Sequence, residues 1–140
     1  MIVLDTNVVS ELMRGEPAEV VVEWVDRQPA DDVYLTAVTL AELLYGIARL
    51  TDGRRKTTLA ELLEEMTADD LEHRVAAFDE TAAAHYAEVA ARGERAGRPI
   101  SAADAQIAAI CRSHDAVLAT RNTSDFVDAG ITVVNPWLER

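Results

Sequence analysis

Four acidic residues stand where carboxylates could act together: Asp5, Glu42, Asp104 and Asp125. Asp5 ends the apolar run Ile2-Val3-Leu4, and Asp125 closes a polar stretch, Thr120 to Asp125, that leaves the apolar run Ala116 to Ala119. Glu42 and Asp104 fall in the expected first turns of two amphipathic segments. Ligand sites in open α/β sheets lie outside the carboxyl ends of the strands. If both helices start at that edge, all four acids converge there. Carboxylate oxygens are the ligands of hard cations such as Mg²⁺ and Mn²⁺. Two bare carboxylates about 4 Å apart repel by roughly 4 kcal/mol at an effective dielectric near 20, so such a cluster calls for a divalent cation. A cation there would acidify a bound water, position a phosphodiester and steady its leaving oxygen. Histidine is not needed, and His73, His85 and His114 are scattered along the chain as surface or packing residues.

Each acid also has a plainer reading. Thr39-x-x-Glu42 and Ser101-x-x-Asp104 fit the capping box or its near relative, in which the acid satisfies free backbone N–H groups. Asp5 could cap a helix opening at Thr6, and Asp125 could cap a turn. Spacing alone leaves both readings open.

The elements that must position these residues are short strands alternating with helices. Ile2 to Leu4, with almost nothing before it, reads as the central strand of a parallel sheet covered on both faces. A short helix over Val8 to Met13 follows, then a second helix with Pro17 in its first turn and Val21, Val22 and Val25 inward, closed by Pro29. Val33 to Leu35 is a strand. Thr39 to Leu50 carries apolar residues at one-face helical spacing, and Thr57 to Met66 repeats the pattern with Glu61, Glu64 and Glu65 outward. Val75 to Phe78 is a strand, and a long Ala-rich helix runs from Asp79 or Thr81 to about Arg95. Ser101 opens a helix to about His114, and Ala116 to Ala119 and Ile131 to Val134 are the last strands. With no repeat or low-complexity linker, this predicts a single domain over 1–140: a three-layer α/β/α sandwich with a mainly parallel sheet.

Composition narrows the class. The 140 residues are 49% hydrophobic but only 5% aromatic, so the core is aliphatic. The 13 basic residues against 25 acidic ones leave a net charge of −12, the wrong sign for wrapping nucleic acid by general electrostatics. Any nucleic-acid substrate would need a local basic strip, for which Arg54-Arg55-Lys56 and Arg92, Arg95 and Arg98 are available. A basic partner suits the overall charge. The single cysteine, Cys111, excludes an intramolecular disulfide and reads as a buried thiol. No basic leader precedes the first strand and no apolar run is long enough to span a membrane, so a cytoplasmic protein is expected.

Taken together, four blocks resemble a known family: Val3-Leu4-Asp5-Thr6-Asn7, Ala41-Glu42-Leu43-Leu44-Tyr45-Gly46-Ile47, Asp104-Ala105-Gln106-Ile107-Ala108-Ala109 and Leu118 to Phe126. In order and type they look like those of a PIN-domain ribonuclease, in particular the VapC-type toxin of bacterial toxin–antitoxin pairs and its FitB-like branch. The resemblance spans essentially the whole chain. It implies a metal-dependent endoribonuclease with Asp5, Glu42 and Asp104 as the core ligands of Mg²⁺ or Mn²⁺ and Asp125 as the fourth acid, with Asp128 a rival. It implies that Thr6, Asn7, Thr120 and Asn122 orient carboxylates or water, and that Arg121 contacts phosphate or makes a salt bridge. It further implies an RNA substrate, a cognate antitoxin with a basic C-terminal segment over the acidic pocket, and a homodimer, for which the helix pair Thr39 to Met66 offers the apolar surface. Two competing readings are a catalytically silent PIN-like binding module and a phosphoryl-acceptor or phosphatase domain. The second calls for a lysine to hold phosphate, and the chain has only Lys56.

Overall fold

A computed structural model describes residues 1–71 and 74–139; His73 lies outside the described residues. The elements run β1 (Ile2–Leu4), α1 (Thr6–Leu12), α2 (Glu19–Asp26), β2 (Val33–Thr36), α3 (Ala37–Ala48), α4 (Arg54–Glu65), β3 (Val75–Ala76), α5 (Glu80–Arg95), α6 (Ala102–His114), β4 (Val117–Ala119) and β5 (Thr132–Val134). The strands form one sheet in the order β3-β2-β1-β4-β5, and every pairing among them is parallel. β1 is therefore the central strand, its Ile2 in register with Val33 on one side and Val117 on the other.

Successive strand residues point to opposite faces, and in β1 they enter two separate cores. Leu4 packs with Val8, Val9, Val21, Trp24, Leu43 and Leu63 of α1 to α4. Val3 packs with Val89 of α5 and with Ala105, Ile107, Ala108 and Cys111 of α6. Val3 is 0% and Leu4 2% exposed, which accounts for an uninterrupted apolar strand and gives the expected three layers. Among the described residues, no helix is long and apolar enough to cross a membrane.

Several local expectations are corrected. The second helix starts at Glu19 rather than at Pro17, and its approach is tied by Glu11, whose Oε2 accepts from the Ala18 amide at 3.0 Å. Trp24 is buried on that helix beside Val21, whereas Val22 and Val25 are only half-buried. β3 shrinks to Val75–Ala76, because Phe78 leaves the sheet to meet Tyr86 edge-on at 6.0 Å. α3 begins three residues early: its cap is Thr36, whose Oγ1 accepts from the Thr39 amide at 3.0 Å. α3 and α4 turn Leu43 and Leu63 inward and leave Leu44, Tyr45 and Leu62 exposed.

Candidate active site

Asp5 leaves β1 at the carboxyl edge of the sheet, and its amide donates to the Ala119 carbonyl at 2.9 Å, so the β1–β4 ladder fixes its backbone. It also caps α1: Oδ1 accepts from the Thr6 amide at 2.8 Å. Oδ2 accepts from Thr120 Oγ1 at 2.8 Å and from Asn7 Nδ2 at 3.4 Å. A carboxylate has about four lone-pair sites. With three engaged, one remains for an outside ligand.

The residues around Asp5 lace the two strand ends together. Asn7 Nδ2 donates to Thr120 Oγ1 at 3.1 Å, and Asn7 Oδ1 accepts from the Arg121 amide at 3.0 Å. The Asn122 amide donates to the same threonine oxygen at 3.1 Å, so Asn122 contributes through its backbone. Thr120 is fully buried, and its single hydroxyl proton goes to Asp5.

Glu42 sits in the second turn of α3, not the first, because the cap has moved to Thr36. The capping explanation for Glu42 therefore falls away. Its Oε1 accepts from Thr6 Oγ1 at 2.8 Å instead. Buried Thr39, one helical turn back, lies 3.5 Å from that hydroxyl; its spacing of three from Glu42 was the signal that placed it on the same face. Asp104 is in the first turn of α6, where Ser101 Oγ accepts from its amide at 3.2 Å, so the cap expected of Ser101 is present.

The carboxyl of Asp104 lies within electrostatic reach of the other three acids. Partial burial raises the Asp104 carboxyl above its ordinary value, and the charges of Asp5, Asp125 and Glu42 raise it further against the Ser101 hydroxyl. Asp5 is raised chiefly by burial and also by Glu42, while the bonds from Thr120, Thr6 and Asn7 pull the other way. Behind Asp5, burial and then the Asp5 charge push the Cys111 thiol up to about 12, so it stays a neutral packing group.

Asp128 does not join this group. Arg98 grips it with two bonds, Nε to Oδ2 at 2.8 Å and Nη2 to Oδ1 at 3.0 Å, which hold its carboxyl below the ordinary value. Arg121 lies over the Trp137 ring, 4.7 Å from its centroid. Lys56 is bound to Asp52 at 3.1 Å and to the Ala48 carbonyl at 3.4 Å. His114 is exposed at the end of α6, and His85 on α5 has a buried Nδ1 without a hydrogen-bond partner among the described residues.

Two hollows flank the acids. A groove of about 1220 Å³ opens beside Thr6, Asn7 and Glu42, with an apolar floor that includes Leu43 and Ile47 and with Arg14, Arg54, Arg55 and Arg121 along it. A smaller pocket of about 370 Å³ opens beside Asp104 and Asp125. The donor set suits a hard divalent cation, since it is all carboxylate oxygen with Asp5 held rigidly. Among the described residues, no three His, Cys, Asp or Glu side chains already form a group that could hold an ion.

The sequence pattern of the PIN domain matches residues 2–131. The chain is a PIN-domain protein. Within that family it is 44% identical to Toxin FitB of Neisseria gonorrhoeae over 137 residues, covering 98% of this chain and 99% of the relative. It is 43% identical to VapC ribonuclease Y4jK of Sinorhizobium fredii, covering 98% of each chain. Among solved structures, this PIN domain matches a chain of FitAB bound to an IR36 DNA fragment with a TM-score of 0.93 and 42% identity, covering 100% of this chain and 98% of the other. These similarities place it in the FitB and VapC group that the four motif blocks resemble.

Proposed function

We propose that this PIN domain is a divalent-metal-dependent endoribonuclease and the toxin of a toxin–antitoxin pair. The observation that carries the reading is Asp104, whose carboxyl feels three other carboxylates drawn from separate parts of the chain. Asp5, Glu42, Asp104 and Asp125 would hold Mg²⁺ or Mn²⁺, Asp5 through its one unengaged lone-pair site. When bound, the cation acidifies a water and stabilises the leaving oxygen of a phosphodiester. Thr120, Thr6 and Asn7 fix the Asp5 carboxylate so that little reorganisation is needed, the usual contribution of groups behind a metal ligand. Thr6 bridges Asp5 and Glu42, donating its amide to one and its hydroxyl to the other.

The names of the relatives supply the substrate class and the partner. The FitB and VapC relatives include a protein named tRNA(fMet)-specific endonuclease VapC, from Shigella flexneri, at 28% identity. A structure of VapBC from Salmonella typhimurium bound to DNA is matched at a TM-score of 0.83 and 26% identity. An antitoxin segment would lie in the groove beside Glu42, where the apolar floor takes aliphatic side chains and the site's carboxylates attract a basic one. Exposed Leu44, Tyr45 and Leu62 are the surface for a homodimer. Action on the cell's own RNA would take place in the cytoplasm.

Asp104→Asn tests the reading. It should abolish Mg²⁺- or Mn²⁺-dependent cleavage of RNA while raising stability in chelator. If Asp104 only capped α6, the variant would lose roughly 0.5–2 kcal/mol of stability and keep its activity. Retained cleavage overturns the reading.

A further inference from the structure

The smaller pocket has a feature the proposed metal site does not use: an arginine–aspartate fork, Arg98 with Asp128, in the same lining as Asp104 and Asp125. The fork is built on fixed backbone. A Cβ added at Gly93 of α5 would come within 2.9 Å of the Arg98 carbonyl, and the Arg98 amide donates to the Gly93 carbonyl at 2.9 Å. The chain at Arg98 thus lies directly on α5. Asp128 is further held by the charge of Arg92. The rest of the lining is mixed, with apolar Ile100 and Val127 and the hydroxyl of Ser124.

The volume, about 370 Å³, is at the small end of ligand sites and suits one nucleoside rather than a helix. RNA is read in sequence mostly where unpaired bases can be splayed out and hydrogen-bonded along their edges. The bound pair has no net charge, which disfavours a phosphate. Arg98 uses Nε and Nη2 on Asp128, leaving three of its five N–H donors, and the aspartate oxygens keep acceptor capacity. A donor and an acceptor side by side match a base edge.

We propose that this pocket takes the base of the unpaired nucleotide adjoining the scissile phosphate, and that the Arg98–Asp128 fork reads its edge. The proposal rests on the ribonuclease reading. The test uses the full-length protein with Mn²⁺ and a single-stranded RNA carrying its mapped cut site, together with versions abasic at each flanking position. Arg98→Ala and Asp128→Ala should each raise KM roughly tenfold or more with kcat nearly unchanged, and broaden the sequences cut. Arg98→Lys, which keeps the charge but not the fork, should not restore the preference. One abasic position should cost the wild type the same factor and cost Arg98→Ala nothing further. A melting temperature and a Mn²⁺-induced shift equal to wild type show that the Arg98→Ala fold and metal site are intact; where Arg98→Ala unfolds, Asp128→Ala carries the same comparison. Unchanged KM and cut sites in a folded variant, or losses that simply add, overturn the pocket alone. No metal-dependent cleavage by the wild type overturns the ribonuclease reading and the pocket with it.

Discussion

Asp104 and Asp5 are held in the folded state with carboxyls raised above the ordinary value near 3.8, by burial first and by neighbouring carboxylates next. A group whose folded pKa is raised binds its proton more tightly when folded, so its contribution to stability is complete below the unfolded value and is lost as pH rises through the folded one. Metal-free protein at neutral pH therefore carries a charge disfavoured by burial and by its neighbours, and a neutral amide at Asp104 would relieve that cost. Urea unfolding in chelator should find Asp104→Asn more stable than wild type at pH 7. That advantage should shrink as pH falls through the raised Asp104 value towards 3.8, because the wild type then takes up its own proton. An advantage independent of pH, or none at pH 7, would mean that neither burial nor the neighbouring carboxylates raise the Asp104 carboxyl. Asp128 runs the other way: Arg98 lowers its carboxyl, so what it contributes is present at neutral pH and lost on acidification. Nothing at positions 125 and 128 distinguished the two acids in sequence, because the deciding partner, Arg98, is 30 residues away.

At the scale of elements, helix caps decide which acids are free. Two threonines three apart, Thr36 and Thr39, each have the right residue type for a cap. The parallel pairing of Leu35 with Val75 and Thr36 with Ala76 extends β2 by one residue, and α3 starts directly from its end. Thr36 is thereby the cap, and Glu42 moves off the first turn and onto the site. Thr36→Ala should cost about 1 kcal/mol, read from the urea midpoint, whereas Thr36→Ser, which keeps the hydroxyl, should recover most of it. Equal losses in both would assign the effect to the lost methyl. The long helices α5 and α6 were legible to within a residue or so, because periodic apolar faces and the caps at Asp79 and Ser101 agree. The alternation of strands and helices also made a parallel sheet legible. Strand order beyond the central place of β1 was not, because apolar runs of two to four residues carry no record of their neighbours. β3 was overextended because Phe78 looks like a strand residue, yet it pairs with an aromatic on α5 instead.

For the whole molecule, the question is how a chain of net charge −12 would tolerate the four carboxylates of the proposed site, which are part of that charge. Salt screens the diffuse surface charge over about 10 Å at 0.1 M, so part of any stabilisation by a divalent ion is general. A site-bound ion is different, because it adds stability by mass action, about 2.7 kcal/mol at a hundredfold excess over Kd. For a domain of this size that corresponds to a rise in melting temperature of roughly 10 °C. Mn²⁺ should therefore raise the melting temperature of wild type well beyond NaCl of matched ionic strength. Asp5→Ala should keep the salt effect and lose most of the Mn²⁺ increment, since it removes the one carboxylate that Thr120, Thr6 and Asn7 hold in place. Equal Mn²⁺ increments in the two proteins would mean that the ion acts only on the diffuse charge and that the four acids do not form one site.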